Sequence, residues 1–113
     1  MKSKILALSK NDEFKDLIHK NKLSNKYVTI FFGTLKNKDN KKLNISFVTK
    51  KKIGNAVKRN KIKRRLKNIM NEATKKLILR YNYSYLIIAK STMLDSDYTN
   101  IKELIFQSFN KIK

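Results

Sequence analysis

Residues 43–90 read LNISFVTKKKIGNAVKRNKIKRRLKNIMNEATKKLILRYNYSYLIIAK, and three different patterns follow one another along them. Residues 43–49 read as a strand. Ile62, Leu66, Ile69, Met70, Ala73 and Leu77 then fall at i, i+4, i+7, i+8, i+11 and i+15, which is one apolar stripe at helical spacing. Residues 83–90 (YSYLIIAK) are too apolar through their centre for an edge and read as a buried strand. Strand, long helix and strand make a β-α-β crossover, and a basic loop from Lys50 onward leads into its helix.

Upstream, residues 27–35 (YVTIFFGTL) are rich in β-branched and aromatic side chains and predict another strand. A polar turn over residues 36–42 would pair it with residues 43–49 as an antiparallel hairpin, and Gly33 marks a bulge or a strand end. Residues 21–26 are polar and read as a loop. Phe14, Leu17 and Ile18 stand at i, i+3 and i+4 on one face of a first helix, which Asn11 or Asp12 can cap with Asp12 and Glu13 near its positive end. Residues 1–10 show no clear period. Downstream, Ser96 or Asp97 caps a last helix whose apolar face is Ile101, Leu104, Ile105, Phe109 and Ile112. The order is α-β-β-α-β-α, an α+β sandwich with a small sheet of three to four strands covered by helices. With 113 residues the chain has room for one domain, 1–113.

Charge narrows the function. Twenty-eight Lys and Arg face eight Asp and Glu, for a formal +20. A compact body so charged repels itself and calls for a polyanion. No stretch approaches the roughly 18 apolar residues of a membrane span. The absence of cysteine removes disulfides and thiolate metal sites. A cytoplasmic, nucleic-acid-binding protein with no membrane and no obligate protein partner is the expectation. One histidine, His19, excludes a hydrolytic triad and a multi-histidine metal site, so no catalytic and no metal-ligating residue is assigned. Asp12, Glu13 and Asp16 read as favourable charges near a helix start rather than as a cation cluster.

Residues 50–67 hold ten Lys or Arg in eighteen positions, and no Asp or Glu occurs between residues 41 and 70. A solvated helix would interleave carboxylates four residues from its cations. Instead Arg59, Lys63 and Lys67 stand at i, i+4 and i+8, with Asn60 and Arg64 beside them and away from the stripe beginning at Ile62. Such a helix can lie along a phosphate backbone, Arg offering a planar fork and Asn both donating and accepting. A ribosomal protein would share the charge and the build. A helix-turn-helix DNA binder would need a short helix where residues 43–49 read as strand, and a membrane-surface peptide would lack the β-rich core.

Residues 51–68 (KKIGNAVKRNKIKRRLKN) also resemble the RNR motif of the ribonuclease P protein family, K-x-G-x-A-V-x-R-N-x-x-K-R-x-x-R. Lys52, Gly54, Ala56, Val57, Arg59, Asn60, Lys63 and Arg64 match it, and Lys67 replaces the last arginine. KNDEF at residues 10–14, LIIAK at residues 86–90 and the closing helix extend the likeness. The resemblance implies an α-β sandwich with a left-handed β-α-β crossover. It implies contact between the catalytic RNA and Lys51, Lys52, Arg59, Asn60, Lys63, Arg64 and Lys67, and a cleft between sheet and first helix for the single-stranded 5′ leader of precursor tRNA. The holoenzyme would cleave one phosphodiester bond with Mg2+ held mainly by the RNA. By position the cleft would take Phe14 and Ile18 from the helix. From the strand it would take Tyr27 and Phe31 on one face, or Val28, Ile30 and Phe32 on the other. The family's second aromatic is Ile18 here, and an arginine near the helix entrance is Ala7.

Overall fold

A computed structural model describes residues 5–6, 11–35 and 41–112. In chain order the strands are β1 (Ile5–Leu6), β2 (Asn21–Ser24), β3 (Val28–Gly33), β4 (Leu43–Val48) and β5 (Ser84–Ala89). The helices are α1 (Asn11–Ile18), α2 (Ala56–Lys76) and α3 (Tyr98–Asn110). The strands form one mixed sheet in the order β1-β4-β5-β3-β2.

β5 sits at the centre because both of its faces are apolar: Tyr85, Ile87 and Ala89 on one, Leu86 and Ile88 on the other. It runs parallel to β4, with Ser46 opposite Leu86, and antiparallel to β3, with Phe31 opposite Leu86. The predicted hairpin between residues 27–35 and 43–49 is therefore not formed. β3 and β4 are antiparallel in direction, but β5 lies between them and takes the hydrogen bonds of both. The crossover β4–α2–β5 links adjacent parallel strands, as the sequence predicts. Residues 21–24, expected as loop, form the edge strand β2. Only Leu23 of its four side chains is half-buried, so a polar sequence suits an edge. On the opposite edge β1 adds two residues beside Leu43 and Asn44.

α2 and α3 cover one sheet face. Ile62, Leu66, Ile69, Met70 and Ala73 of α2, with Ile101, Ile105 and Phe109 of α3, pack on Val28, Ile30, Ile45, Tyr85 and Ile87. α1 covers part of the other face, where buried Leu17 meets Leu86 and is flanked by Phe14, Phe31, Val48 and Ile88. The termini of these helices differ in detail from expectation. α1 begins at Asn11, so Asn11 and Asp12 lie in its first turn rather than before it. Asp97 occupies the cap position of α3 without a capping bond from its side chain. Gly33 ends β3, and a Cβ there would stand 2.4 Å from the Lys20 side chain. Ala7 lies outside the described residues.

Candidate nucleic-acid interface

α2 starts from a basic loop. Lys50, Lys51 and Lys52 are exposed, while Ile53, at the end of the 3₁₀ turn Lys51–Ile53, is buried and anchors the segment. Asn55, which sequence reading passed over, caps α2: its Oδ1 accepts from the backbone N–H of Lys58 at 3.0 Å. The motif glycine has a backbone reason: Gly54 holds a φ of 158°, which L side chains rarely adopt, while the nearest atom a Cβ would meet is on the flexible Lys58 side chain. The first turn of α2 carries no acidic residue, and its last turn has Lys75 and Lys76. The positive N-terminal end of the helix dipole is thus left for an external anion.

Five of the predicted RNA-binding side chains lie on α2. Asn60, Lys63 and Arg64 line one shallow depression together with Val57, whose 74% exposure is unusual for valine and leaves an apolar spot among the cations. Lys67 is exposed one turn after Lys63. Arg59 is half-buried beside the core stripe, and its Nε is buried with no hydrogen-bond partner among the described residues. A buried donor of that kind is rare and marks a place where an acceptor from outside would be welcome. Neighbouring Arg65 behaves differently: its Nη1 reaches the carbonyls of Met93 and Ser96, both at 3.5 Å.

Lys52 does not join that face. With Lys50 and Lys90 it rims a groove of about 550 Å3 at the end of the sheet, whose floor includes Thr29 and Ile88. Ile88 also packs against the apolar cluster under α1, so the groove adjoins that cluster. Phe14 and Phe31 both pack half-buried against it. Ile18 stands 45% exposed at the end of α1 and is not in the cluster. Tyr27 stands apart from Phe31. It precedes β3, lies 4% exposed in the opposite core with Val28 and Ile30, and does not share the face of Phe31. Of the two strand faces weighed, Phe31 packs toward α1, and Val28, Ile30 and Phe32 pack toward α2 and α3.

Sequence reading missed Lys50, Lys90 and Thr29 as groove residues. Lys90 carried a signal, a cation directly after an apolar strand, but its placement depends on the turn before β3. Its Nζ donates to Ser24 Oγ at 2.9 Å and to the Asn25 carbonyl at 2.6 Å. Among the described residues no three His, Asp or Glu side chains gather as a metal site, and the polar groups lining the two surfaces are cations, the Asn60 amide and the hydroxyls of Thr29, Ser91 and Thr92, with no carboxylate. Such a set does not fit Mg2+, which takes oxygen ligands.

Fold and surface together define a class: small, strongly basic α+β proteins whose cations collect on one helix and at one end of the sheet. A family model described as Ribonuclease P matches residues 3–113. The chain is 32% identical over 115 residues to a protein of Carboxydothermus hydrogenoformans named ribonuclease P protein component, covering 98% of this chain and 94% of that one. A Mesoplasma florum protein of the same name is 32% identical over 105 residues, covering 92% of each. The solved RNase P protein from Thermotoga maritima superposes with a TM-score of 0.80 at 18% identity, over 96% of this chain and 98% of that one. An RNase P protein structure from Staphylococcus aureus gives 0.78 at 24% identity, over 95% and 94%. The chain belongs to the ribonuclease P protein family.

Proposed function

We propose that this chain is the protein component of a ribonuclease P and works in tRNA processing by holding two RNAs at once. The exposed face of α2 docks on the catalytic RNA through Arg59, Asn60, Lys63, Arg64 and Lys67, with Lys51 in the adjoining loop. The cleft beside α1 takes the single-stranded 5′ leader of precursor tRNA, its bases against Phe14 and Phe31. The leader's phosphates continue past Lys50, Lys52 and Lys90, and exposed Ile18 sits at the cleft's outer margin. One observation carries this reading: the cations fall on two separate surfaces, and only the second borders, through Ile88, the apolar cluster under α1 that holds half-buried Phe14 and Phe31. A helix face reads the shape and phosphates of folded RNA, whereas an apolar cleft with a basic exit suits an unpaired strand.

Hydrolysis then belongs to the RNA, with its Mg2+. The protein contributes register and charge: a +20 body between two polyanions lowers their mutual repulsion. The decisive experiment adds the purified chain to a bacterial ribonuclease P RNA at low magnesium and follows 5′ cleavage of precursor tRNA. Stimulation is expected. Tight RNA binding without stimulation would instead place the chain among structural RNA-binding proteins.

A further inference from the structure

The turn between β2 and β3 is built around one side chain. Asn25 Oδ1 accepts from the backbone N–H groups of Tyr27 at 2.7 Å and Val28 at 2.9 Å, which closes the turn on itself. Its Nδ2 donates to Ser108 Oγ of α3 at 2.9 Å, so the turn is also tied to the helical layer. The Asn25 carbonyl is thereby fixed in place, and it accepts from the Lys90 ammonium at 2.6 Å. Ser24 Oγ accepts from the same ammonium at 2.9 Å and stands 3.2 Å from Thr29 Oγ1 in the groove. Two further bonds fasten the turn to the end of β5: Thr92 Oγ1 donates to the Lys26 carbonyl at 2.6 Å, and the Lys90 N–H donates to the Tyr27 carbonyl at 2.8 Å.

An ammonium has three donors, and the turn takes two of those of Lys90. The third is left on the rim of the groove that Lys50 and Lys52 also line. Those two lysines are exposed, whereas Lys90 is half-buried and braced. A braced cation meets a phosphate without first giving up rotamer freedom, and it meets that phosphate in one place.

We propose that Asn25 is a positioning residue for the 5′ leader: by closing the turn it fixes the Lys90 ammonium against one particular leader phosphate. The proposal rests on the groove's taking the leader, and it adds the register at which the strand is held. General attraction to a +20 body would grow smoothly with every added phosphate. One fixed cation instead adds a step at a single leader length.

The test measures holoenzyme affinity for precursor tRNAs whose leaders lengthen one nucleotide at a time, at fixed salt. Each value is taken relative to mature tRNA bound by the same holoenzyme. With the parent chain, one added nucleotide should bring a gain of about fivefold or more, the worth of a charge-assisted bond. Lys90→Ala should remove that step, and Asn25→Ala should shrink it by about threefold or more. The double variant should lose no more than Lys90→Ala alone, because Asn25 acts through Lys90. NMR of the lysine ammonium groups in the full-length chain supplies a readout that packing alone would not move. The Lys90 ammonium should be protected from exchange in the parent chain and in Asn25→Asp, which keeps the turn-closing acceptor, but not in Asn25→Ala. A step that Lys90→Ala removes and Asn25→Ala keeps would overturn the proposal while the leader reading stands. So would losses that simply add, which would make Asn25 a folding residue. A protected Lys90 ammonium with no step in the parent chain would overturn it through the leader reading on which it rests.

Discussion

Arg64 and Arg65 are adjacent in sequence and differ in task. Arg64 is exposed beside Asn60 and Lys63, while Arg65 leans on the Ser91–Asp95 turn. Arg64→Ala should weaken assembly with the catalytic RNA by about 1.5–3 kcal/mol, the value of a directed charge-assisted bond. Lys111→Ala, at the exposed end of α3, loses the same charge and should cost far less in the same binding assay at fixed salt. Equal losses would reduce the motif to bulk charge. Tyr85 poses a question of pH. Its hydroxyl donates to the Arg80 carbonyl at 2.8 Å, and burial pushes its pKa well above the ordinary 10.0. The unfolded chain ionises near 10.0 and the folded chain later, so this contribution is intact below about 10 and declines as pH rises beyond it. Tyr85→Phe should cost about 1 kcal/mol at neutral pH through the lost bond. Urea melts should then show a shallower alkaline decline than in the parent chain.

At the scale of elements, α1 depends on very little. It has eight residues, and of its described side chains Leu17 alone is fully buried. Leu17→Ala should destabilise the fold by about 2–5 kcal/mol and impair binding of precursor and mature tRNA together. Half-buried Phe14 should separate them. Phe14→Ala should lower holoenzyme affinity for precursor tRNA by about 1–3 kcal/mol, the range for base stacking on an aromatic ring. Mature tRNA should bind unchanged, as should substrates whose leader is cut to a nucleotide or two. Comparable damage to both tRNA forms, with a lowered melting temperature, would make Phe14 a packing residue. The elements were unevenly legible. The α2 stripe was read correctly from Ile62 to Ala73 because helical burial is a local period. The β3–β4 hairpin was misread because strand pairing is non-local, and a connecting turn cannot reveal that β5 will enter between the two.

For the whole molecule, charge sets opposite trends in binding and folding. One ion pair between described residues, Lys102 to Glu72 at 3.2 Å, offsets little of a formal +20. Added salt should therefore raise the melting temperature of the free chain by screening self-repulsion. The same salt should weaken its hold on RNA. With about six to eight phosphate contacts, log affinity should fall against log salt with a slope of roughly −4 to −7. A nearly flat binding curve would remove the electrostatic footprint from the argument, whatever the melting curves show.

The α+β class, the crossover, the buried central strand and the cationic character of α2 are properties of local periodicity and composition, and the amino-acid order determined them. Tertiary structure decided what periodicity cannot carry. It turned Phe31 toward α1 and Tyr27 into the opposite core, because β3 begins only at Val28. It set the loop residue Lys52 at the sheet groove, apart from the helix face, and brought Lys90 there across 65 residues of chain through its bond to the Asn25 carbonyl. It also divided one run of cations into three surfaces, since a helix packed along one stripe exposes its flanks to different neighbours.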